Sequence, residues 1–188
     1  MKQTKDLTLC ALFTVLFIIG SKIVIPAGVI PLTLQTMMVI LAGMLLQPKQ
    51  IMISYGLFFL MGLIGFPVFA NGGGIAYVLQ PSFGFLLSFP IAASFLSYTR
   101  KKLHVQHFLP AFLLCLLVLL LIYTIGCIYM YGILNFYMGA TKNMSAIIAM
   151  GAIPFILSDT CSIALGCFCA LRLSQVPFIH QSLATPHN

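Results

Sequence analysis

The chain has 188 residues, 61% of them hydrophobic and 6% charged, with a formal net charge of +7 and a mean hydropathy of +1.12. Soluble domains carry about a quarter charged residues, so this chain cannot cover itself with a water-compatible surface, and a polytopic membrane protein fits instead. The basic residues sit at the ends of apolar runs, which argues against nucleic acid as a partner.

The first apolar stretch follows "MKQTKD" and covers about 7–25. It lacks a small-residue cleavage site and is followed by further spans, so it is expected to remain as the first helix and not to leave as a signal peptide. The turn-rich "PAGVIP" (26–31) leads into a short second span, about 33–46, closed by "QPKQ". A third span covers about 51–69, and the loop "ANGGGIAYVLQPS" (70–82) joins it to a short fourth span, about 83–98. The polar hinge "YTRKKLHVQH" precedes a fifth span, about 108–131, and "GILNFYMGATKN" precedes a sixth, about 146–171. The expected fold is all-α: one six-helix membrane domain over 1–173 with a C-terminal tail over 174–188.

Lys2, Lys5, Lys49, Arg100, Lys101, Lys102 and Arg172 fall on the side of the N-terminus, against Lys22 and Lys142 on the other. The positive-inside rule therefore places both termini and the tail in the cytoplasm. The Gly-rich loop, the "PAGVIP" turn and the loop before span six then face outward. Short spans flanked by irregular backbone are tolerated where they line a cavity, so an outward-opening pocket is expected. The six cysteines (Cys10, Cys115, Cys127, Cys161, Cys167, Cys169) lie in apolar runs without metal-type spacing and read as small apolar filler.

Asp159 interrupts the apolar run "AIPFILSDTCSIALGC" (152–167). An ionised carboxylate in mid-span costs about 2.5–3.5 kcal/mol even on insertion scales, so it should face an interior partner or a polar cavity. It serves either as an anchor between helices or as part of a substrate site or proton relay. Ser162, three residues on, shares its helix face. Lys22 sits at the outer end of span one and either snorkels to the interface or lines the same pocket. In "PLTLQT" (31–36), Thr33 and Thr36 suit helix capping, whereas the amide of Gln35 needs partners inside an apolar helix. Gly72, Gly73 and Gly74 either make a flexible loop or let backbone approach a ligand. Asn71, Tyr77, Gln80 and Ser82 beside them suit a small polar head group against an aromatic wall. No phosphate-binding loop, metalloprotease helix or nucleophile elbow occurs, so the chain cannot hydrolyse ATP itself; no enzyme and no cofactor is implied.

"KIVIPAGVIPLTLQT", "GLIGFPVFANGGG", "QPSFGFLLSF" and "PFILSDTCSIALG" resemble, in order and spacing, the BioY family, the biotin-specific S components of energy-coupling factor transporters. The resemblance covers about 7–173 and implies a six-helix subunit of the bacterial cytoplasmic membrane that captures biotin. Such subunits dock on a transmembrane T component carrying two ATPase subunits. It further implies that Asp159 belongs to an Asp-x-x-Lys motif, with Ser162 standing where the family has lysine. A docking face is implied around Ala11, kept as in the family, with Val15 in place of a second alanine and Thr14 nearby. Without the motif lysine, either Lys22 meets the ligand carboxylate or the ligand is another acid, such as lipoate, or a neutral compound. A stand-alone proton-coupled transporter with Asp159 as relay would show inverted repeats, and none is visible.

Overall fold

The computed structural model describes residues 2–25, 32–105 and 107–175. The "PAGVIP" turn and all but the first two residues of the expected C-terminal tail lie outside them. Seven α-helices follow one another: α1 (Lys2–Lys22), α2 (Gln35–Leu45), α3 (Pro48–Ile64), α4 (Phe83–Lys102), α5 (Phe108–Gly132), α6 (Met144–Gly151) and α7 (Ile156–Leu173). A 3-10 turn, Ile153–Phe155, joins α6 to α7, and together they form one apolar segment, Met144–Leu173. The six expected spans are therefore present, but the sixth is broken. Pro154 is the cause: it has no N–H to donate and its ring clashes with the carbonyl four residues earlier.

The other boundaries also shift for local reasons. Pro48 opens α3 at its first position, where a missing N–H costs nothing, and Gln47 and Gln50 form a reciprocal capping box around it. The same helix stops at Ile64, five residues before the expected end, because Gly65 turns left-handed at φ +117°. Conversely, α4 runs on to 20 residues through Arg100, Lys101 and Lys102, cations that favour the negative end of a helix. It is not the short span expected. A feature absent from the all-α reading is a pair of two-residue strands, β1 (Val24–Ile25) and β2 (Leu32–Thr33), antiparallel with Val24 opposite Thr33.

The centre of the bundle is α2. Nine of its 11 residues are buried, as expected of a helix that is apolar on all sides. It packs against α1, α4 and α7. Glycine provides the close approach: a Cβ on Gly43 would meet Leu96 of α4, and one on Gly166 of α7 would touch Ile40. At 1.5 Å per residue α2 is about 16 Å long, half of a hydrocarbon core of about 30 Å. Its first turn therefore starts deep inside the bundle. The outer faces are the reverse of a soluble surface: Leu12, Val15, Leu57, Leu60, Leu113, Leu117, Leu120 and Leu165 are all exposed. Such a band requires lipid around it.

Candidate ligand site

Because α2 is short, the space above its first turn has to be walled by its neighbours. The loop after α3 supplies one wall. Phe69 and Gly72 exchange backbone hydrogen bonds of 2.9 and 3.2 Å, and the Gly74 N–H donates to the Gly62 carbonyl at 2.7 Å. Phe69 lies with its ring against Gly62, where any Cβ would collide with it. A run of rings, Phe58 to Phe69 (centroids 5.3 Å), Phe69 to Tyr77 (4.7 Å) and Tyr77 to Phe83 (6.3 Å), locks the loop to α3 and α4. From α5, the Tyr129 hydroxyl donates to the Val78 carbonyl at 2.5 Å. Lys22 Nζ donates to the Phe69 carbonyl at 2.7 Å, and Ser21 donates to the carbonyl of Val68, so the end of α1 holds the loop as well.

Between this loop, the start of α2, the start of α4, the middle of α5 and the break in the last span lies a cavity. Thr33, Gln35, Thr36, Tyr77, Ser82, Tyr123 and Asp159 bring polar groups to it, and Phe85, Leu86, Phe89, Ile122 and Phe155 provide apolar wall. Ala70 and Gly151 complete the lining. Asp159 is 8% exposed. The Tyr123 hydroxyl donates to its Oδ2 at 2.7 Å, and the Thr36 hydroxyl is a second partner. The buried carboxylate is thus held from α5 and α2 while its own helix begins just after the Pro154 break. Gln35 Nε2 donates to the hydroxyl of Tyr55, at 3.4 Å in the core. Tyr77 in the loop is buried, which pushes its phenol above the ordinary value, opposed by the Asn71 backbone amide and the Ser82 hydroxyl. It stays protonated at neutral pH and can donate.

Of the residues singled out in the sequence, Thr33, Gln35, Thr36, Tyr77, Ser82 and Asp159 line this cavity together. The others do not. Asn71 is exposed and contributes its backbone amide to Tyr77. Gly72 and Gly74 have φ of +115° and +104°, and a Cβ on Gly73 would run into the Phe66 carbonyl oxygen. The glycines fold the loop onto the end of α3; they are not among the lining residues. Lys22 is occupied by the loop carbonyl. Ser162 is buried on the Asp159 face but one turn below the cavity. On α1, Ala11 and Val15 are exposed as a docking face requires, whereas Thr14 is buried, its hydroxyl on the Cys10 and Ser54 carbonyls at 2.8 and 3.0 Å. Thr14 packs α1 onto α3 and is not part of that face.

A model described as the BioY family matches residues 1–177 of the chain. The chain belongs to the BioY family. It is 34% identical over 178 residues to a probable biotin transporter BioY from Lysinibacillus sphaericus, covering 93% of this chain and 89% of that protein. It is 36% identical over 172 residues to one from Pyrococcus horikoshii, covering 91% and 97%. The fold superposes with a TM-score of 0.84 on a crystal structure of the S-component for biotin from an ECF-type ABC transporter, at 28% identity and 96% coverage of both chains. This is a transporter family, and the chain is a multi-pass protein of the cell membrane.

Proposed function

We infer that the cavity binds biotin and that the chain is the substrate-capture subunit of an energy-coupled uptake system. The observation that carries this is the lining: one buried carboxyl group, an amide and several hydroxyls among phenylalanine, leucine and isoleucine walls. Biotin has the matching chemistry, a cyclic urea with two N–H donors and a carbonyl acceptor on an apolar bicycle and chain. Asp159 receives Tyr123 at Oδ2 and has Thr36 as a second partner, and a carboxylate offers about four acceptor positions, so it can still accept from a ureido N–H. Lipoate has no N–H donor to offer this carboxyl group and forgoes that hydrogen bond, a cost of about 1–3 kcal/mol. The names of the relatives agree with biotin. No lysine or arginine lines the cavity among the described residues, so the ligand carboxylate is placed toward the open mouth.

Both termini lie in the cytoplasm on the charge distribution, which turns the cavity outward. The chain is not an enzyme, and its partners are a T component and two ATPase subunits, with Ala11 and Val15 on the docking face. Reconstitution tests this. Biotin accumulation in proteoliposomes should need the ATPase module and ATP; accumulation by this chain alone under a pH gradient would establish secondary transport instead.

A further inference from the structure

At the end of the bundle away from the ligand cavity, the start of α5 and the last turns of α7 border an open cleft. Its walls are His107, Phe108, Phe168, Leu171, Arg172 and Gln175. The Arg172 guanidinium lies over the Phe168 ring, 5.4 Å from its centroid, an arrangement that orients a cation while leaving its N–H edge for an anion. On the α5 side, Phe108 stacks on Phe112 with centroids 5.9 Å apart and planes 13° from parallel. The cleft thus joins one cation and one imidazole to flat apolar walls. Beside it, Leu109 and Leu113 are exposed, as is Phe168 in its wall, so its apolar side is continuous with the lipid-facing band.

The protein has little of its own to neutralise Arg172. Nine Lys and Arg face two Asp and Glu in the whole chain. Asp6 receives the Gln50 amide at 2.9 Å between α1 and α3. Asp159 receives Tyr123 and sits 13 residues before Arg172 on α7, about 20 Å along the helix. Arg100, Lys101 and Lys102 end α4 at the same end of the bundle and deepen the excess of positive charge there. Among the described residues no carboxylate lines the cleft beside Arg172, and the mixed lining suits an anion that carries a hydrocarbon chain.

We propose that this cleft is a binding site for one anionic phospholipid, with the phosphate on Arg172 and His107 and an acyl chain along Phe108, Phe168 and Leu171. The lipid wedges between the two helices that bring Tyr123 and Asp159 to the ligand cavity, and so supports their packing from the opposite end.

The test is native mass spectrometry and thermal unfolding of the delipidated full chain in neutral detergent, titrated with phosphatidylglycerol, phosphatidylcholine or soluble glycerol phosphate. Phosphatidylglycerol should bind at about fivefold lower concentration than phosphatidylcholine, the effect of one basic group at a charged lipid surface, and should raise the unfolding temperature. Arg172→Gln with His107→Gln should erase the preference, Arg172→Lys should keep part of it, and Lys142→Gln at the other end should leave it intact. Equal binding of the two lipids, or a preference surviving the double substitution, would overturn the proposal. Stabilisation by glycerol phosphate equal to that by the lipid would overturn it as well, leaving a plain anion site. The comparison of lipids on the native chain stands even if the double variant fails to fold.

Discussion

Replacing Tyr123 by phenylalanine removes one oxygen and keeps the ring, so it isolates the hydrogen bond to Asp159. The bond is 2.7 Å long, normal for O–H to O, and its acceptor is 8% exposed. A buried acceptor stripped of its partner costs about 1–3 kcal/mol. In the ligand-free protein, water entering the cavity can take the place of the hydroxyl, so stability should change little. In the complex biotin excludes that water, and the cost should appear in affinity as a loss of roughly 5- to 150-fold. Titration calorimetry with biotin on the parent, Tyr123→Phe, Asp159→Asn and the double variant reads it directly. The two substitutions should couple by about 1 kcal/mol or more, since each breaks the same contact. Biotin affinity within twofold of the parent for Tyr123→Phe, or strict additivity in the cycle, would refute the role given to this pair.

Gly73→Ala should lower the unfolding temperature by roughly 2–12 °C, because the new methyl meets the Phe66 backbone oxygen and overpacking costs about 1–3 kcal/mol; differential scanning calorimetry checks it, and no change would mean that the loop does not pack as described. Cys115 and Cys167, both fully buried and with their sulfurs 3.3 Å apart, should form an α5–α7 cross-link with copper phenanthroline, which accepts the two electrons the thiols release. Peptide mapping should lose that link in Cys115→Ser, and its absence from the parent would contradict the helix pairing. In a Cys161→Ser background, a cysteine at Asn71 or Lys142 should react with an impermeant maleimide from outside and one at Lys101 should not; the reverse pattern would turn the cavity inward.

Asp159 was legible because a carboxylate inside an apolar run needs an explanation wherever the run folds. Gln35 was legible as an amide inside an apolar helix, with Thr33 in the same polar stretch, and Tyr77 and Ser82 as polar groups beside the glycine run. Tyr123 was not. It is one aromatic residue in a 25-residue apolar helix, and nothing local separates a tyrosine that meets Asp159 from one that meets lipid. Thr36 was read as a cap, and only the packing of α2 against α7 turns it toward the carboxyl group. The apolar walls, Phe85, Leu86, Phe89, Ile122 and Phe155, look in sequence like any other core positions. The glycine run misled in the opposite direction: glycine signals close approach of backbone, but here the approaching group is the protein's own Phe66 carbonyl. Lys22 similarly found a backbone partner nearer than any ligand. The order and number of spans followed from hydropathy; the break at Pro154 is a local proline effect that a run of apolar residues conceals, and the two short strands depended on tertiary context.

Calorimetric titration of the purified chain, alone and without nucleotide, with biotin and with lipoate, addresses the ligand assignment most directly. Biotin should bind with one site per chain, and lipoate should bind more weakly by roughly 5- to 150-fold, because it offers no N–H to the Asp159 carboxyl group. Equal binding of the two acids, or no binding of biotin to the isolated chain, would contradict a biotin-capture site built around Asp159.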